Sequence, residues 1–237
     1  MLHADRATKR YGTVTALDAL NLRVEPGETV CLLGANGAGK TTTLNLFLGF
    51  AEPDEGAVRV DGIDPAREPE KARRLIAYIP ENVALYPALT GLENLAYFDR
   101  LSGHSQPPAR LRELLVEAGL AEDQISRPVG GYSKGMRQKV GLAIAFAKEA
   151  RILLLDEPMS GLDPKAASDF TARLKTFSAA GCAVLMATHD IFRAKECASR
   201  IGIMKSGTLV ETIASAGVDA NRIEQIYLDH MHADAVS

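Results

Sequence analysis

Three short stretches of the chain hold the side chains able to do chemistry. The first is Gly34-Ala35-Asn36-Gly37-Ala38-Gly39-Lys40-Thr41-Thr42, which fits the spacing G-x-x-x-x-G-K-[ST]. It follows the apolar run Val30-Cys31-Leu32-Leu33 and precedes a helical pattern from Thr43 to Leu48, so the loop stands between a strand and a helix. Glycines let the backbone turn through positive φ and bring N–H groups close to an anion. The helix that begins near Lys40 adds its positive end to the same spot. Lys40 supplies a cation for β- and γ-phosphates, and Thr41 a hydroxyl for Mg²⁺. These residues predict a site for a nucleoside triphosphate.

The second stretch is Ile152-Leu153-Leu154-Leu155-Asp156-Glu157-Pro158, an apolar strand ending in two carboxylates. A strand buried on both faces exposes charge only at its carboxyl end, where ligands sit in open α/β sheets. Asp156 is placed to organise Mg²⁺ and its waters, and Glu157 to polarise a water that attacks the γ-phosphate. The third is Thr188-His189-Asp190, which ends another apolar strand and puts His189 at the same edge as a sensor of the γ-phosphate. The turn Ser160-Gly161-Leu162-Asp163-Pro164 reads, by itself, as an N-cap before a proline-started helix.

The elements that must position these groups alternate as in an α/β protein. Leu2 to Glu28 reads as antiparallel strands with turns at Gly12 and Pro26-Gly27; Ala57 to Asp61 and Ile76 to Ile79 read as further strands. From Asn82 to about Val140 the pattern is helical. Thr90-x-x-Glu93 is a capping box, Pro107-Pro108 opens a second helix, and Ser133 caps a third. Strands and helices then resume to Glu211, which predicts a mainly parallel sheet with helices on both faces, an antiparallel β subdomain and an α-helical insertion. One domain over residues 2–230 is expected, with a frayed tail from Met231 to Ser237. Arg10-Tyr11-Gly12 sets a ring on a turn, which on residues alone is a half-exposed packing tyrosine.

With 237 residues, 46% of them hydrophobic, the chain can bury a sizeable core. A net charge of −3 gives no global attraction to nucleic acid, and no nucleic-acid partner is expected. The three cysteines, Cys31, Cys182 and Cys197, lack metal-ligand spacing and read as buried thiols of a reducing compartment. The N-terminus has no signal-peptide pattern and the apolar runs are too short to span a bilayer, so a cytoplasmic place is expected unless a partner holds the chain at a membrane.

In this order the phosphate loop, helical insertion, Ser133-Lys134-Gly135, Asp156-Glu157, Ser160-Gly161-Leu162-Asp163 and His189 resemble an ATP-binding cassette (ABC) ATPase, from Tyr11 to about Leu228. The resemblance implies a P-loop NTPase fold and ATP hydrolysis with Mg²⁺ by a head-to-tail homodimer or heterodimer of ATPase subunits. It implies that Tyr11 stacks on adenine, and that Ser133 and Gly135 contact the γ-phosphate held by the opposite subunit, with Asp163 counted among the nucleotide-binding residues. The family's signature Leu-Ser-Gly-Gly-Gln is here Tyr132-Ser133-Lys134-Gly135-Met136, so Lys134 and Met136 depart from it. Lys134 either tunes the phosphate contact or is solvated. Where the family carries a glutamine that joins Mg²⁺ to the transporter interface, this chain has Glu81, which reaches the metal through water if it keeps that role.

The signature, Pro80-Glu81 and the closing Ile223-Glu224-Gln225-Ile226-Tyr227-Leu228 resemble the ATPases of type 2 ABC exporters, which serve separate membrane permeases for drugs, ions, lipids or polysaccharides. Pro80-Glu81-Asn82-Val83, Tyr86-Pro87 and Thr90-Gly91 also resemble the ATPase of copper-site maturation in nitrous oxide reductase. The implied place is peripheral, on the inner face of the cell membrane. The alternative within the family is a soluble, non-transport ATPase acting on a macromolecular complex; one unbroken cassette without a basic tail favours the exporter. A GTPase is disfavoured, because no Asn-Lys-x-Asp string is present. The loop Asn82 to Thr90 holds Leu85, Tyr86, Pro87 and Leu89, which either pack under the following helix or receive a short helix of the permease.

Overall fold

The loop that carries Lys40 is set by the strand before it. In the computed structural model, which describes residues 1–232, Thr29–Leu33 is buried at every position and pairs on both sides with parallel strands. In chain order the elements are β1 (Leu2–Tyr11), β2 (Val14–Val24), β3 (Thr29–Leu33), α1 (Lys40–Phe47), β4 (Glu55–Val60), α2 (Pro69–Leu75) and β5 (Ile76–Ile79). Then come α3 (Gly91–Leu101), α4 (Pro108–Glu117), α5 (Glu122–Ile125), α6 (Lys134–Ala147), β6 (Ile152–Asp156) and α7 (Pro164–Ala179). The chain continues through β7 (Ala183–Thr188), α8 (Ile191–Cys197), β8 (Arg200–Lys205), β9 (Thr208–Ala214) and α9 (Ala220–His232).

The central sheet has six strands in the order β5-β6-β7-β3-β8-β9, parallel except for β9. A second sheet of three antiparallel strands runs β2-β1-β4. Side chains alternate across a strand, and β3 uses both faces. Cys31 and Leu33 join the core shared with α3, α4, α6 and α7, whereas Val30 and Leu32 join the core shared with α1 and the antiparallel sheet. Leu153 and Leu155 of β6 point to the first core, and Ile152 and Leu154 to the second. The nucleotide strand is thus locked by two cores at once.

The insertion reads as expected. Thr90 Oγ1 accepts from Glu93 N while Glu93 reaches back to Thr90 N, a complete capping box. α4 starts at Pro108, and Ser133 caps α6 by accepting from Met136 N at 3.3 Å. Differences lie at the margins. β4 begins at Glu55, two residues before the strand read from Ala57, because Glu55 and Ala57 pair with Thr8 and Asp5 of β1. Helix α2 was not expected, since Ala72 is its one buried residue and no apolar period marks it. Helix α9 runs through Met231 and His232, where fraying was expected; residues 233–237 lie outside the described part.

Candidate functional site

Three neighbouring parallel strands end at one level and deliver the chemistry. Leu33 of β3 pairs with Thr188 of β7, and Ala187 of β7 with Asp156 of β6. The phosphate loop, Asp156-Glu157 and Thr188-His189 therefore leave the sheet side by side at its carboxyl edge. β5 ends beside β6, with Ile79 paired to Leu155, and brings Glu81 to the same edge. Together they border a cavity of about 620 Å³ lined by Asn36, Gly37, Ala38, Gly39, Lys40, Thr41, Thr42, Glu81, Asp156 and Glu157, and also by Val14, Thr15, Ala16 and Ser206.

The loop geometry suits an anion. Gly37 and Gly39 have φ of 82° and 103°, and a Cβ on Gly39 would stand 2.7 Å from the Ala16 carbonyl oxygen. Gly34 lies behind the cavity wall, packed on Met204, and offers its carbonyl to Lys40. Lys40 is 6% exposed; its Nζ donates to Gly34 O at 2.6 Å and Ala35 O at 3.1 Å and stands 3.9 Å from Glu157 Oε1. Burial pulls its pKa down against the opposing pull of Glu157 and Asp156. A buried ammonium turned back on loop carbonyls is a charge ready for a partner of opposite sign.

Thr41 Oγ1 donates to Asp156 Oδ2 at 3.0 Å. Burial pushes the Asp156 carboxyl up, only partly offset by the Thr41 hydrogen bond. A hydroxyl and a carboxylate are hard oxygen donors of the kind Mg²⁺ takes alongside phosphate oxygens and waters, so the residues fit that ion. Among the described residues no three His, Cys, Asp or Glu side chains cluster at metal-holding spacing, so the chain forms no all-protein cage there.

Glu157 is held tightly. Its backbone sits at φ 46°, a conformation L-residues rarely adopt, with its N–H bonded to Ala187 O. Thr188 Oγ1 donates to its Oε2 at 3.2 Å, and His189 Nδ1 lies 2.9 Å from its Oε1. The strand-end carboxylate and histidine singled out in the sequence are thus in direct contact.

Other expected residues stand elsewhere. Tyr11 is 50% exposed at the end of β1, paired to Val14, with Lys9 Nζ 5.4 Å from its ring centre. Its strand partner Val14 lines the cavity, and Tyr11 itself does not. Ser133, Gly135 and Asp163 are absent from the cavity: Ser133 caps α6, Gly135 packs towards Ala166 and Leu162, and Asp163 caps α7 by accepting from Ala166 N at 2.9 Å. Lys134, read as a phosphate tuner or a solvated cation, lies with its Nζ 3.1 Å from Glu81 Oε1. That ammonium, with a hydrogen bond from Ser160, holds the Glu81 carboxyl below its ordinary range. Val14, Thr15, Ala16 and Ser206 were missed, because only the sheet topology brings the β2 and β8–β9 turns over the loop.

A family profile described as ABC transporter matches residues 17–160. The chain is also 36% identical over 220 residues to Nod factor export ATP-binding protein I of Paraburkholderia xenovorans (strain LB400), covering 92% of this chain and 72% of that protein. The chain belongs to the ABC transporter ATP-binding subunits. It is 36% identical over 231 residues to daunorubicin resistance ATP-binding protein DrrA2 of Streptomyces coeruleorubidus, covering 95% of this chain and 71% of that one. Among solved structures, the ABC transporter cassette MJ0796 in its dimeric form superposes with a TM-score of 0.82 at 30% identity, covering 92% of this chain and 100% of that one. The same cassette is known in a post-hydrolysis state bound to ADP and Pi. This ABC subunit is accordingly an ATPase with the cassette fold.

Proposed function

We propose that this ABC ATPase drives a separately encoded membrane permease of the export type, with the Glu157–His189 pair as its hydrolytic centre. The contact between those two side chains at the cavity wall carries the reading. Lys40 and the loop N–H groups bind the phosphates, and the Thr41 hydroxyl and Asp156 hold Mg²⁺, which when bound neutralises phosphate charge. Glu157 orients a water and accepts its proton, while Thr188 and His189 fix the direction of the carboxylate. Tyr11, paired to cavity-lining Val14, offers its exposed ring to the base. Asp163, as the cap of α7, sets where the segment beyond Glu157 meets the partner.

Ser133 and Gly135 line no part of their own chain's cavity, which supports their use on the cavity of a second ATPase subunit in a head-to-tail dimer. Export as the direction rests on the relatives, whose names include Nod factor export and daunorubicin resistance. Among the described residues no helix is long and apolar enough to cross a membrane. A groove of about 1080 Å³ between the sheet edge and the insertion, lined by Tyr78, Val83, Phe98, Leu101 and Ile144, suits a short permease helix on the cytoplasmic face. Co-expression with a hydrophobic six-helix protein, sought among the products of the adjacent genes, tests the reading. Co-purification and ATP-dependent efflux are expected; purification with ribosomes or DNA instead would overturn it.

A further inference from the structure

Two of the positions that depart from the family pattern, Glu81 and Lys134, meet in space at 3.1 Å. Helix α6 grips the same residue a second time. Gln138, one turn beyond Lys134, is fully buried and donates its Nε2 to Pro80 O at 3.2 Å and Glu81 O at 3.0 Å. Residues four apart lie on one helix face, so a single face holds both the side chain and the backbone of Glu81.

Lys134 does not serve the helix it starts. It occupies the first helical position of α6, where the helix dipole disfavours a cation, and the first turn has no acid to offset it. Nor does the pair serve overall stability: Lys134 and Glu81 are 28% and 48% exposed, and ion pairs that open to water contribute little. What the ammonium changes is the charge that faces the nucleotide. Glu81, Asp156 and Glu157 share one cavity wall with the single buried ammonium of Lys40. An unpaired Glu81 would add a third negative charge against incoming phosphates.

We infer that Lys134 is a positioning residue for nucleotide binding: it neutralises Glu81 and fixes that carboxylate on α6, so the cavity wall and the helix end bearing Ser133 and Gly135 move as one piece. The inference rests on the cavity being the nucleotide site. The test is the Kd of ADP, without metal (in EDTA) and with Mg²⁺, measured by titration calorimetry on the full chain at low salt. Lys134→Met should weaken metal-free ADP binding about 3- to 10-fold, and less so in high salt. Adding Glu81→Gln should restore it to within about twofold, the non-additivity expected of a contacting pair. Lys134→Arg should bind as the natural chain does, and Tm should change little in all variants. Unchanged ADP binding in Lys134→Met, simple addition of the two effects, or a loss of binding that tracks a fall in Tm would each overturn the inference. Failure of the unaltered chain to bind ADP would instead overturn the nucleotide-site reading.

Discussion

His189 Nδ1 lies 2.9 Å from Glu157 Oε1, while Thr188 Oγ1 donates to the other carboxylate oxygen at 3.2 Å. A side chain gripped at both oxygens has little freedom to search for its water, so its charge and direction are set before substrate arrives. Glu157→Gln keeps the shape and removes the proton acceptor. Turnover should fall by about 10²- to 10⁴-fold while ATP stays bound. The ATP-bound dimer should then persist on size-exclusion chromatography; near-normal turnover would move the base elsewhere, most directly to His189.

Lys40→Ala removes the buried ammonium between the loop carbonyls and Glu157. Nucleotide binding should be lost in calorimetry even though the fold survives, because phosphates taken out of water would face carboxylates without a cation. Unchanged Mg-ATP affinity would refute the loop assignment.

Asp156 gives a pH signature in the nucleotide-free chain. Burial raises its folded pKa above the ordinary value, with Thr41 and Lys40 opposing and Glu157 and Glu81 reinforcing. A raised folded pKa means a contribution that is present below the unfolded value of about 4 and lost as pH rises through the folded value. At neutral pH the charged side chain therefore costs stability. Asp156→Asn should raise the Tm at pH 7, with the gain shrinking as pH falls towards about 4. A lower Tm at pH 7 would show that its contacts outweigh its desolvation.

Gly39→Ala combines φ of 103° with a Cβ 2.7 Å from the Ala16 carbonyl. It should lower stability by about 1–3 kcal/mol and weaken ATP binding, whereas Gly12→Ala, at φ 59° with nothing near its Cβ, should cost less and leave affinity unchanged. Paired thermal melts and titrations check both.

The loop Asn82 to Thr90 divides between the two readings open to it. Leu85 packs on the core, but Tyr86 is 47% exposed, its ring edge against Tyr97 and its hydroxyl 3.1 Å from the Tyr97 hydroxyl. Buried Asn94 ties down the loop backbone at Tyr86, Leu89 and Thr90. The ring thus stands on a fixed platform. Tyr86→Ser should keep basal ATPase activity and Tm while reducing permease co-purification; a matching fall in Tm would favour packing alone.

What was legible in the sequence is what short-range chemistry writes there. The phosphate loop, the Thr90–Glu93 box, the Ser133 cap and the paired acids at the end of β6 each lie within a few residues. The Lys134–Glu81 and His189–Glu157 contacts were hidden, because sheet order and insertion packing alone decide which strand ends meet. Helix α2 was hidden for another reason: with only Ala72 buried, it leaves no apolar period to read.

The two-sided packing of β3 also bears on how the chain reaches its native state. A pairing one residue out of step would send Val30 and Leu32 to the insertion side and turn the loop bearing Lys40 away from Asp156. Such a misfolded chain would hold no triphosphate. By linkage, ATP at a hundredfold excess over Kd would favour the correctly paired form by about 2.7 kcal/mol over one that cannot bind it. Refolding in the presence of ATP should then recover more native chain than refolding without it.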